Sequence, residues 1–191
     1  MKELLKKIGH RLLGDYSAYF IYEREVPSPE SIVEVPATHE VVLVDSTAIA
    51  ASADPLMQEQ AGYAGPGAYA YACLEGSRIV GLCFYWFGDR YLQRNFWPLK
   101  TKEAKLVQII TLPEMRGRGV AGALISFSFR DMAQKNFSRL YARIWHSNTP
   151  SLHAFERAGW VRIALVIEIN PFRRQRPHRL YWRMGGRQAA T

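Results

Sequence analysis

Apolar residues first recur at helical spacing: Leu4, Leu5, Ile8, Leu12 and Leu13 share a stripe, with Lys2, Lys6, Lys7 and Arg11 on other faces. Gly14 supplies the expected stop. The pattern then shortens to an aromatic run, Tyr19-Phe20-Ile21-Tyr22, closed by Glu23-Arg24-Glu25, which predicts a strand. Pro27, Pro29 and Pro36 mark a loop over 27–40, followed by a short extended segment at 41–44. The alanine-rich stretch 46–60 predicts one or two short helices, the second restarted by Asp54-Pro55. Residues 69–74 and 78–87 read as a hairpin around Glu75-Gly76-Ser77, and 88–103 as a polar, aromatic loop.

The second half alternates more regularly. A strand over 105–112 and a loop over 113–118 lead into a helix over 119–136. That helix aligns Ala121, Ile125, Phe129 and Met132 on one face. A strand at 140–145, a helix at 147–157 stopped by Gly159, and strands at 160–170 and 178–184 complete the series. Such alternation requires a parallel crossover and an α/β sheet. The reading is one domain over 15–184, with a basic amphipathic helix at 1–14 before it and a disordered tail at 185–191 after it.

Composition narrows the classes. With 191 residues, 48% hydrophobic and 22% charged, the chain has enough apolar side chains for one globular core. The net charge of +8 invites a nucleic-acid hypothesis. Residues 1–14 carry four cations against one acid (+3), and 171–191 carry six arginines and no acid (+6); +8 less these two leaves −1 for the body. No basic groove for nucleic acid is expected across such a body. The helix at 1–13 could instead dock on the protein or make weak peripheral contact with an anionic membrane. Cys73 and Cys83, the only cysteines, give neither a disulfide framework nor metal-ligand spacing, so buried thiols and a reducing cytoplasm are expected. No apolar run is long enough to span a bilayer.

Candidate chemistry concentrates at Ile109-Ile110-Thr111-Leu112-Pro113-Glu114-Met115-Arg116-Gly117-Arg118-Gly119-Val120-Ala121. A buried strand there enters a glycine-containing loop that opens a long helix, which points backbone N–H groups and the helix dipole at one spot and suits an anion. It is neither a dinucleotide fingerprint nor a P-loop, because no acidic partner follows and no Gly-Lys-Ser/Thr is present. The pattern resembles the GCN5-related N-acetyltransferases, whose Arg/Gln-x-x-Gly-x-Gly/Ala signature is met by Arg116, Gly119 and Ala121. A second family motif is met about 30 residues later by Asn148, Ser151, Phe155 and Gly159-Trp160.

The resemblance implies the GNAT fold: a mixed, twisted sheet of about seven strands flanked by helices, with splayed central parallel strands. It also implies acetyl-CoA as co-substrate, no metal, and a primary amine of a small molecule or peptide as acceptor. Arg116, Gly117, Arg118, Gly119, Val120 and Ala121 would hold the pyrophosphate, and the strand edge around Ile110 and Thr111 the pantetheine. Asn148, Ser151 and Phe155 would lie near the pantetheine and the thioester. One departure matters: the family often has tyrosine where Phe155 stands, so the thiolate would leave with help from Ser151, water or Tyr141. The central strand holds no carboxylate, so His146 and then Glu103 are the candidate bases. The loop over 88–103, with Arg90, Tyr91, Arg94 and Trp97, is the candidate acceptor contact, a lid or a homodimer contact. A softer resemblance of Thr111-Leu112-Pro113-Glu114 to acetyltransferases of bacterial surface-polysaccharide synthesis tilts the acceptor toward an amino sugar. A longer acyl donor and a non-catalytic acyl-CoA-binding domain are the competing readings.

Overall fold

The computed structural model describes residues 15–28, 39–93, 97–170 and 178–184. The expected N-terminal helix and C-terminal tail fall outside these. Eight strands form one sheet: β1 (Asp15–Glu25), β2 (Glu40–Val44), β3 (Ala68–Glu75), β4 (Arg78–Trp86), β5 (Glu103–Thr111), β6 (Arg139–Trp145), β7 (Val161–Asn170) and β8 (His178–Arg183). Their spatial order is β2-β3-β4-β5-β6-β1-β7-β8. Every neighbouring pair is antiparallel except β5–β6, which is parallel. Each extended segment read from the sequence is one of these strands.

Short helices α1 (Ser46–Ala50), α2 (Pro55–Gln58) and α3 (Gly88–Leu92) join the strands of the first half. Asp45 and Asp54 cap the first two by accepting from Ala48 N–H and Leu56 N–H. α3 lies within the stretch expected to be loop. It starts at a glycine, behind Phe87, with no side-chain cap, so the sequence carries no start signal.

Two longer helices, α4 (Val120–Gln134) and α5 (Thr149–Arg157), lie on the face opposite that of Gln60 and Tyr63. α4 buries Val120, Leu124, Ile125, Phe129 and Met132, each contributing on the order of 1.5–3 kcal/mol. Gly81 on β4 lets it approach. A Cβ there would stand 2.6 Å from Val120 Cγ1 and 3.2 Å from Leu124 Cδ1. β1 is clad on both faces. Tyr19 and Ile21 join a cluster with Trp86, Tyr91 and Tyr141, while Tyr22 enters the main core under α5.

Candidate functional site

The parallel pairing of β5 with β6 covers only Glu103–Leu106 against Arg139–Ala142. A bulge falls between Phe84 and Tyr85 of β4, which pair with Gln108 and Leu106 and leave Val107 as the extra residue. Pairing stops where the bulge bends β5, so the two strands part from that root. Leu112 N–H donates to Val80 O at 3.0 Å, which makes 80/112 a hydrogen-bonded rung, and 82/110 the next one. Ile109 and Thr111 consequently turn their N–H and C=O groups to the edge that β6 has left. Ile110, expected to use that edge, spends its main-chain groups on Leu82 instead.

Beyond Thr111 the chain is fixed from below. Leu112 and Met115 are buried, and Arg78 Nη2 reaches Glu114 Oε1 at 2.6 Å and Asp54 Oδ2 at 3.5 Å. The Glu114 carboxyl is held below its ordinary value by its own backbone N–H and by Arg78. Above this base, Gly117 (φ 76°) and Gly119 (φ 87°) adopt left-handed conformations. Gly119 is the N-cap of α4, and no described side chain caps that helix. The N–H groups of the first turn thus face outward beside exposed Arg116 and Arg118. Val120 is buried and Ala121 half-buried at the helix start.

On the far wall, Asn148 caps α5, its Oδ1 accepting from Ser151 N–H at 3.3 Å. Ser151 is half-buried. Phe155 is 2% exposed and packs its ring 5.0 Å from Trp160 and 6.2 Å from Tyr22, so it anchors α5 on the core. His146, just beyond β6, is exposed. Its Nδ1 lies 3.0 Å from Ala18 O, and because a carbonyl only accepts, Nδ1 carries the proton and Nε2 is the basic nitrogen. Four residues past the last paired rung, it sits at the mouth of the split. Glu103 sits at the other extreme. It is buried, accepts from Lys100 N–H at 2.8 Å, and begins β5 roughly 13 Å (four strand steps) before the bulge.

Glu103 also lines a cavity of about 620 Å³ with Phe87, Tyr91, Lys102, Lys135 and Phe137, at the end of β5 remote from the glycine loop. Of the residues expected to meet an acceptor, Arg90 is a clamp. It donates to Gly62, Ala64 and Pro66 carbonyls and stacks 4.7 Å from the Trp86 ring. Tyr91 OH donates to Trp97 O at 2.8 Å and accepts from Trp97 N–H at 3.1 Å. Arg94 lies outside the described residues.

Of the wall opposite α4, sequence reasoning named only Tyr141. There Tyr19, Tyr141, Arg143 and Trp145 project from β1 and β6 on the face that also carries Lys105. Arg143 sits 5.0 Å from the Tyr19 ring and 5.2 Å from the Trp145 ring, and Trp145 is 43% exposed. Alternation along 139–145 was the available signal. Among the described residues no group of His, Cys, Asp and Glu could hold a metal ion. No described helix is long and apolar enough to cross a membrane.

The family model for the acetyltransferase (GNAT) family matches residues 37–160. Several solved structures share the fold. The GCN5-related N-acetyltransferase from Sphaerobacter thermophilus superposes with a TM-score of 0.57 at 13% identity, over 97% of this chain and 58% of that one. A GNAT-family acetyltransferase from Colwellia psychrerythraea gives 0.57 at 13% identity, over 87% and 60%. A GNAT-family protein from Novosphingobium aromaticivorans gives 0.55 at 18% identity, over 82% and 64%. The chain thus spans less than two thirds of the length of each. No curated protein matches the sequence.

Proposed function

The chain belongs to the GNAT acetyltransferase family, and from that premise we propose that it transfers an acetyl group from acetyl-CoA to a primary amine of a small molecule, an amino sugar in the first instance. The observation that carries the reading is the continuous track from the open edge of β5 at Ile109 and Thr111 to the uncapped start of α4. A pyrophosphate fits the outward N–H groups of residues 119–122, where a Cβ at Gly117 or Gly122 would meet nothing within 4 Å. An extended pantetheine arm fits the free N–H and C=O groups of Ile109 and Thr111, as an added strand would. Bound acetyl-CoA would supply an activated acyl group whose thiol leaving group has an ordinary pKa of about 8.5.

The protein's own residues supply position. Asn148 fixes the start of α5 so that Ser151 faces the split. Leu112, Met115 and the Arg78–Glu114 pair keep the loop from shifting. Exposed Trp145, with the Arg143 guanidinium beside it and buried Tyr19 behind, offers a ring face and a cation to a hydroxyl-rich acceptor. A second reading, acyl-CoA binding without transfer, is favoured by Phe155, which has no proton to give.

Two measurements separate these readings. Acetyl-CoA should raise the melting temperature of the protein, and a panel of primary amines including glucosamine should release free thiol. A thermal shift with no thiol release from any amine would leave the binding-only reading standing. No shift at all would remove the cofactor assignment.

A further inference from the structure

Pairing of β5 with β6 ends at Leu106↔Ala142, so residues 107–111 border the split on the side that β6 has left. From Thr111 to the bulge at Val107 is roughly 13 Å along this open edge, comparable to an extended pantetheine arm. A thioester laid along Ile109 and Thr111 therefore arrives next to Gln108, the first residue past the bulge. Gln108 pairs with Phe84 and shares its face of the sheet, where Tyr63 packs 5.4 Å from the Phe84 ring. Trp86, two residues on from Phe84, clusters with Tyr19 and Tyr141 of the acceptor wall. α4 covers the other face, where Ser128 meets Tyr85 OH at 3.1 Å. Resting on the acetyl-transfer reading, we propose that Gln108 Oε1 receives the one N–H that the acceptor nitrogen keeps, and so selects primary amines over secondary amines and hydroxyls.

The orientation of this amide follows from hydrogen bonds that run in one direction only. Leu56 O is a backbone carbonyl and only accepts, so the end of the Gln60 amide 3.1 Å from it is Nε2. Gln60 therefore presents Oε1 at its other end, and the Gln108 atom 3.1 Å from that oxygen is Nε2. Gln108 Oε1 is left as the outer end of the chain. Gln60 is 7% exposed, whereas Gln108 is half-buried. Among the described residues Gln108 Oε1 has no donor, and it is not one of the unpartnered polar atoms shut away from solvent. Turning the Gln108 amide over would set two oxygens against each other with no proton between them.

An amide oxygen accepts hydrogen bonds but takes no proton near neutral pH, so Gln108 holds the nitrogen while solvent water removes the proton. A primary ammonium has three protons. One goes to water, which frees the nitrogen pair. That pair forms the C–N bond to the acyl carbon, and the C–S bond breaks with its electrons on sulfur. A second proton then passes from nitrogen to the thiolate. The third stays on the product amide and need never leave Gln108 Oε1. A secondary ammonium spends both of its protons on the same two transfers, and a hydroxyl spends its only proton on sulfur. For either, one proton would have to face Gln108 and the sulfur at once.

The test uses the full chain with an active primary amine and its N-methyl counterpart, reading kcat/KM for thiol release. The wild type should favour the primary amine by about tenfold or more. Gln108→Met is close in shape but has no oxygen. It should keep the acetyl-CoA thermal shift and bring the two amines to within about twofold of each other. Gln60→Met frees the Gln108 amide to turn and should erode the preference in the same way. Gln60→Glu keeps an oxygen facing Gln108 Nε2 and should restore it. A wild type that uses both amines equally, or a Gln108→Met protein with the wild-type ratio, would overturn the proposal and leave acetyl transfer intact. Gln60→Glu as unselective as Gln60→Met would overturn the fixed orientation on which it rests. A wild type that releases no thiol to any amine would overturn acetyl transfer itself, and this inference with it.

Discussion

Gly119 and Gly122 stand three residues apart in the anion loop and serve different ends. Gly119 holds φ 87°, so any side chain there strains the backbone, and a loss of binding on substitution would mix strain with charge. Gly122 is helical, and a Cβ there meets nothing within 4 Å. We expect Gly122→Glu to gain about 0.5–1 kcal/mol from helix propensity and some tenths more from a carboxylate in the first turn. The same carboxylate should weaken acetyl-CoA binding by about tenfold or more, about 1.4 kcal/mol. A raised melting temperature with reduced affinity would place the anion at this turn; unchanged affinity would move it elsewhere. The loop was legible because its spacing is local and its glycines are required by backbone geometry. The wall of Tyr19, Arg143 and Trp145 was not, because its two strands lie far apart in the sequence and meet only in the sheet. The packing of Phe155 against Tyr22 and Trp160 was hidden for the same reason, since no local spacing shows a contact with β1.

Elements with strong periodicity or turn chemistry were readable from the sequence, including the 120–134 helix and the β3–β4 hairpin. α3 was not, since Phe87 offers no cap and a glycine opens the helix. The seat of α4 was also hidden, because it depends on a close approach between distant residues. Gly81 of β4 lies under Val120 and Leu124, and a methyl group there would stand 2.6 Å from Val120 Cγ1. Gly81→Ala should therefore push the first turn of α4 off the sheet. We expect a loss of about 1–3 kcal/mol in stability, as for other overpacked cores. Acetyl-CoA affinity should fall as well, because the turn that moves is the one whose N–H groups face the anion. Thermal unfolding and a binding titration on the same variant check this. Destabilisation with full affinity would show that the loop is held by Leu112, Met115 and the Arg78–Glu114 pair independently of α4.

At the scale of the whole molecule, the first described strand lies in the interior of the sheet. β1 fills the gap between β6 and β7, pairing Tyr19 with Trp145 on one side and Val166 on the other. The sequence marked 16–25 as a strand but could not place it, because an aromatic run buried on both faces carries no information about its neighbours. The consequence is that the wall bearing Arg143 and Trp145 is braced from behind by residues far upstream. His146 N–H and Nδ1 are both held by Ala18 O of the same strand. Tyr19, Ile21 and Tyr22 are fully buried, and at about 1.5–3 kcal/mol each their burial is comparable to the whole net stability of an ordinary domain. A chain lacking residues 15–25 would leave β6 and β7, which run parallel to each other, with unpaired edges facing across a vacant strand position. Such edges recruit other chains. We expect this deletion to abolish the cooperative melting transition and yield aggregate, and a peptide of residues 15–25 added during refolding to restore soluble protein. If the deletion variant is instead monomeric and binds acetyl-CoA with native affinity, β6 keeps its place without β1, and the split depends on the β5 bulge alone.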